Sequence, residues 1–108
     1  MTSEELKIAI VLELHAREIH SSRNISNANV DQLLVEPEII ELVNVMGERK
    51  KYWLVLDEDP GDLEKGYRIV YAEKDDMFGL ATKATIDDKD VGFLIGLYGS
   101  FVDALDSM

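Results

Sequence analysis

The pattern of apolar and polar positions changes character near residue 52. Across residues 52–98 it runs with the period of a strand. YWLVLD, GYRIVYAE, MFGLATKATI and VGFLIGLY are separated by the short polar stretches EDPGDLEK, KDD and DDKD. In the first run Trp53 and Val55 oppose Tyr52, Leu54 and Leu56. In the second, Tyr67, Ile69 and Tyr71 oppose Arg68, Val70 and Ala72; in the third, Phe78, Leu80, Thr82 and Ala84 oppose Met77, Gly79, Ala81 and Lys83. Short polar connections between such runs predict an antiparallel meander of four strands.

Upstream the spacing is helical. Thr2 and Glu5 stand as a capping box, and Ile8, Val11, Leu12, Ala16 and Ile19 recur on one face. Leu6, Ile10 and Leu14 form a second stripe beside it, so the helix is expected to be covered on more than one side and to end near Ser21, where SSRNISNAN supplies turn and cap residues. A second helical region is interrupted by Pro37. It reads as a short turn capped by Asn29, then a helix over residues 38–46 carrying Ile39, Leu42, Val43 and Met46, closed by Gly47. Ile39, Ile40, Val43 and Val45 also suit a strand, but spacing of three and four favours the helix.

Residues 91–105 read either as one amphipathic helix or as a strand followed by a helix. Gly92, Gly96 and Gly99 would each cost a helix interior on the order of 1 kcal/mol relative to alanine. Ser100 with Asp103 matches a helix start. The expectation is a fourth strand over residues 91–98 and a short helix from Ser100 to about 107. The chain is therefore expected to be one α+β domain over residues 1–108. Its order is ααββββα, with two or three N-terminal helices packed on a four-stranded antiparallel meander.

Length agrees with one domain, since 108 residues leave no room for two cores. Charge changes the picture more. The net charge of -11 repels nucleic-acid phosphates and anionic membranes and favours a basic partner or no partner at all. It also suits a small acidic domain whose charge serves solubility. The absence of cysteine removes disulfides, thiolate catalysis, zinc–thiolate sites and iron–sulfur clusters. The first 18 residues lack the basic start and cleavage site of a signal peptide, and no stretch approaches the ~20 apolar residues that span a bilayer. These features predict a cytoplasmic, bacterial protein.

Few residues fall in patterns that carry chemistry. His15 and His20 are the only histidines; they fall about 140° apart around a helix and cannot share a metal. His15 with Glu18 supplies two ligands at most, and His15 reads better as a hydrogen-bonded boundary residue. The loop Asp57-Glu58-Asp59-Pro60-Gly61-Asp62 invites a calcium reading. Set on the EF-hand spacing from Asp57, it puts Gly61 where a ligand is needed, Asp62 where glycine is needed and Arg68 where a bidentate glutamate is needed. Pro60-Gly61 reads as a solvated turn. No serine has nucleophile-elbow spacing, and the glycines at 96 and 99 lack the spacing and lysine of a phosphate loop. No catalytic residue, metal ligand or cofactor is assigned.

In a meander alternate connections emerge at the same end of the sheet. That brings together Asp57, Glu58, Asp59, Asp62, Glu64, Asp87, Asp88 and Asp90, against Lys65 and Lys89. This acidic edge is the candidate partner-binding site. Trp53, Tyr67, Tyr71 and Phe78 are expected on both faces of the sheet, more than short helices cover, which points to a homodimer. The leading functional reading is a non-enzymatic acidic protein-binding domain of the inhibitor or immunity type. The alternatives are a small carboxylate-based metal- or ligand-binding protein or enzyme, and a self-associating structural domain.

Overall fold

A computed structural model describes residues 1–20, 25–62, 64–87 and 89–108. Helix α1 (Ser3–Ala16) starts where the capping box lies: Thr2 accepts from the Glu5 N–H, and the Glu5 side chain accepts from the Thr2 N–H. A short 3₁₀ turn (Val30–Gln32) leads into strands β1 (Leu34–Val43), β2 (Arg49–Asp57), β3 (Tyr67–Ala72) and β4 (Met77–Thr82). A two-stranded ribbon of β5 (Thr85–Ile86) and β6 (Lys89–Asp90) precedes β7 (Leu94–Gly99) and helix α2 (Phe101–Asp106). The main sheet has five antiparallel strands in the order β1-β2-β3-β4-β7. The class is α+β, with a helix at each end of the sheet.

Two expectations are corrected: the sheet has five strands, not four, and the described N-terminal region holds one α-helix, not two or three. The extra strand is β1, expected as the helix over residues 38–46. Its β-branched residues decide the outcome, because Ile39, Ile40 and Val43 pair with Trp53, Tyr52 and Arg49 across a ladder. Pro37 does not start a helix; it is buried in β1 where the register slips between Leu34 and Glu38, a position that needs no ladder donor. Gly47 caps no helix either. It has φ +77° in the β1–β2 turn, where the Asn44 carboxamide oxygen accepts from Met46 and Glu48 N–H groups.

Helix α1 ends at Ala16, with Arg17 already extended. The expected end near Ser21 lies outside the described residues. Asn27 fixes the exit instead: its amide donates to the carbonyls of Leu14 and Arg17, and its oxygen accepts from the Ile19 N–H. The buried face of α1 is the Leu6–Ile10 stripe with Leu14 beside it. The larger stripe is not covered. Ile8, Val11 and Leu12 are 58%, 48% and 65% exposed.

One sheet face packs under both helices. Val55, Leu56, Ile69, Tyr71, Phe78 and Leu80 meet Leu6, Ile10, Phe101, Ala104 and Leu105 there. A bulge between Leu54 and Leu56 lets consecutive Val55 and Leu56 both join this core. Tyr71, Phe78 and Phe101 meet in sequence, the first pair tilted and the second edge-to-face, with ring centroids 5.0 Å and 5.6 Å apart. Trp53 and Tyr67 pack against the same cluster. Trp53, Tyr67, Tyr71 and Phe78 thus share one face, with Tyr52 on the other, and the argument that those four aromatics occupy both faces and call for a homodimer falls away.

The other face closes on itself. Leu42, Leu54, Val70, Ala81 and Leu94, one from each strand of the main sheet, form a second core with Tyr52 and Ala72. The sheet curls enough that its two edges meet at one end. There the Val43 N–H donates to the Gly92 carbonyl and the Thr82 N–H to the Phe93 carbonyl.

The start of α2 is built jointly with α1. Ser100 and Asp103 form a second capping box, in line with the sequence reading. The Glu13 carboxylate accepts from the Phe101 and Val102 N–H groups at 3.1 and 2.9 Å, which satisfies two donors that the helix leaves open. Arg17 donates to Ser100 Oγ and lies 2.9 Å from Asp103. This guanidinium, with the Ser100 contact, holds the Asp103 carboxyl below its ordinary range. A depressed carboxyl stabilises the fold above its unfolded-state pKa, and that contribution is lost as pH falls through the lowered value. The expected outcome is constant stability near neutrality and a decline below about pH 4 in chemical denaturation. Glu13→Ala should cost on the order of 1–2 kcal/mol at neutral pH in the same assay.

Candidate functional site

The acidic residues of the candidate edge lie on two connections. The connection from β2 to β3 and the β5–β6 ribbon leave the same end of the sheet, and Thr85 Oγ1 donates to Glu64 across them at 3.0 Å. Beneath this edge lies a group of charges facing the concave side. Asp57 pairs with Arg68 across β2 and β3, and Arg68 pairs in turn with Ala81 two residues before Lys83. All three charged residues are buried.

Lys83 organises the site. Its ammonium has no solvent exposure and contacts Asp57 Oδ1 at 2.5 Å. It also donates to the carbonyl oxygens of Asp59 at 2.5 Å and Asp62 at 2.8 Å. A carboxylate and two loop carbonyls converging on one cation are the arrangement of a hard metal site. Here the cation is the chain's own side chain. The Pro60-Gly61 turn closes between the same two residues, with the Asp62 N–H donating to the Asp59 carbonyl. At the far end of the loop Gly66 has φ +85°, and a Cβ there would come within 3.2 Å of the Asp59 backbone nitrogen.

Arg68 carries the second pairing. Nη2 lies 2.7 Å from Asp90 Oδ2, and Nε lies 4.0 Å from Asp57 Oδ2. Nε and Nη1 have no hydrogen-bond partner among the described residues. Gly92 lets the chain pass close by: a Cβ there would stand 3.3 Å from Nη1 and 2.6 Å from the Thr82 carbonyl.

The candidate partner-binding residues therefore divide. Asp57 is buried under Lys83 and Arg68. Asp90 spans Arg68 and the Gly92 N–H. Asp62 accepts from the Glu64 and Lys65 N–H groups; the Glu64 bond is the largest influence holding its carboxyl below the ordinary range, and Lys65 and Lys83 lower it further. Glu58 accepts from the Tyr67 N–H and Glu64 from Thr85. Asp59 and Asp87 are exposed and take part in no ion pair among the described residues. Asp88 lies outside the described residues.

Sequence reasoning missed Lys83 and Arg68, although the signal was present. Each is the one cation in the apolar set of its strand, Lys83 beside Ala81 and Arg68 beside Val70 and Ala72. His15 is exposed rather than a boundary residue, and Glu18 lies beyond the end of α1, so the two do not share a helix face. Among the described residues no three histidine or acidic side chains are grouped to hold a metal, and no helix is long and apolar enough to cross a membrane.

Comparison of the chain with protein-family models, curated proteins and solved structures finds no match in any of the three.

Removing the ammonium leaves Asp57 buried without its nearest cation and the loop carbonyls without a donor. Lys83→Met should destabilise the fold on the order of 3–5 kcal/mol, measured by urea denaturation. Asp57→Asn with Lys83→Met should recover part of that loss, because the uncompensated charge is then gone.

Proposed function

We propose that this is a non-enzymatic binding domain that presents the acidic edge to a basic protein, as an inhibitor or immunity-type protein does to a cationic target. The observation that carries the reading is the internal tether of the loop. Lys83 holds the Asp59 and Asp62 carbonyls from beneath, which leaves the Asp59 side chain exposed on a loop whose backbone is already fixed. Fixing a loop before binding reduces the ordering cost at association. Asp59, Glu64 and Asp87 supply the outward negative charge, and an uncompensated field of this kind accelerates encounter with cations. Asp57 and Asp90 belong to the scaffold, since their charges are already met by Lys83 and Arg68.

The carboxylate-based metal or enzyme reading has less support. At the point of the edge where acidic and carbonyl oxygens converge, the Lys83 ammonium already occupies the position a metal ion would take.

Affinity capture on the immobilised protein tests the proposal. A basic protein is expected to be retained at about 0.05 M salt and released at about 0.5 M, where screening lengths fall to a few ångströms. The triple variant Asp59→Asn, Glu64→Gln, Asp87→Asn should weaken that partner's binding at least about tenfold without lowering the melting temperature. Retention that ignores both salt and the triple variant overturns the reading.

A further inference from the structure

We infer that the concave face of the sheet, at the end opposite the acidic edge, binds a small amphipathic carboxylate: an anionic head on an apolar body. The cavity there measures about 1100 Å³, at the upper end of the range for small-molecule sites. Its floor is apolar. Tyr52, Ala72 and Leu94 are buried members of the second core, and Leu97 packs against them. Its rim is basic. Lys50 and Lys51 come from the start of β2 and Lys74 from the β3–β4 turn, and all three are exposed.

The charge at the rim selects the ligand. The chain has 22 acidic residues against 11 basic ones, so lysines without a carboxylate partner are unexpected. Lys50, Lys51 and Lys74 nevertheless take part in no ion pair among the described residues. Two acids share the lining, Glu73 and Asp75. Glu73 is engaged elsewhere: Oε1 lies 2.6 Å from the Met1 ammonium, and Oε2 accepts from Trp53 Nε1 at 3.5 Å. Asp75 is then the one carboxylate of the lining set against three ammoniums. The acidic edge does not cancel them. Asp57 stands seven residues beyond Lys50 on β2, which at the rise of a strand is about 23 Å, or about three screening lengths at 0.15 M salt. Because the ammoniums are exposed, a carboxylate among them keeps part of its hydration and avoids the cost of a fully buried ion pair. The apolar body lies on the floor below, where its burial supplies the affinity. This site is separate from the acidic edge, and the inference stands whether or not the proposed function does.

Trp53 also lines the cavity and is the single tryptophan of the chain, so its fluorescence reports occupancy in the full-length protein. Sodium decanoate, kept below the concentration at which it aggregates, should shift the Trp53 emission without loss of the circular dichroism signal. Calorimetry should give dissociation on the order of 0.1–1 mM, as its size allows. Acetate, with the same head and no apolar body, should bind at least about tenfold more weakly. Two variants carry the same change of net charge at exposed positions. Lys50→Glu, at the rim, should weaken decanoate about tenfold, whereas Lys65→Glu, on the β2–β3 connection, should leave it within about twofold. A wild type that gives neither heat nor a Trp53 response with decanoate overturns the inference. So does acetate binding as tightly as decanoate, or an equal effect of the two lysine variants.

Discussion

The end of the sheet that carries the acidic edge depends on one buried cation. The Lys83 side chain has no exposed surface, so its ammonium is stable there only because Asp57 and two carbonyl oxygens surround it. Those carbonyls belong to the β2–β3 loop. The exchange is mutual: the loop solvates the ammonium, and the ammonium fixes the loop. Arg68 repeats the logic one strand away, with Asp90 as counterion and Asp57 at longer range. Together these residues plug the open end of a curled sheet with charge where apolar side chains would otherwise be needed.

This arrangement follows from the curl. A flat five-stranded sheet with helices on one side would leave Leu42, Leu54, Val70, Ala81 and Leu94 in water. The bulge at Val55 and the slip at Pro37 add local bend, and the Val43–Gly92 hydrogen bond draws the edges together. The concave face thus becomes a second, smaller core that no helix among the described residues covers. It also means that both ends of each strand on that face must be sealed. At the β2–β3 end the seal is ionic.

Much of this was legible in the alternation of residues. The facing sets Trp53 with Val55, Tyr67 with Ile69 and Tyr71, and Phe78 with Leu80 are those of the helix-covered core. The capping boxes at Thr2 and Ser100 fall where the sequence places them. What periodicity misjudged was β1. A stretch with Ile39, Leu42, Val43 and Met46 satisfies a spacing of three and four as well as two, and only the partner strand decides between them. The same ambiguity hid the orientation of α1. Its apolar arc is wide enough for two burial solutions, and the one realised buries the narrower Leu6–Ile10 stripe because the β1 edge and α2 lie on that side. The acidic site was legible as a location and illegible as a structure. Counting carboxylates places eight residues at one edge, but whether each faces solvent, caps a backbone N–H or meets a buried cation depends on contacts made across strands.

That distinction changes what an acidic surface means. Formal charge treats Asp57, Asp59 and Asp90 alike, yet Asp57 and Asp90 are bound to internal cations and add little to the field outside. The outward potential of the edge comes from fewer groups, Asp59 and Asp87 foremost, set on a backbone that the neutralised ones hold in place. A cluster in which some carboxylates anchor the loop and others face outward resists the self-repulsion that would spread an untethered acidic loop. On the proposed reading, the internal pairs would contribute to recognition indirectly, by letting the exposed charges stay close together.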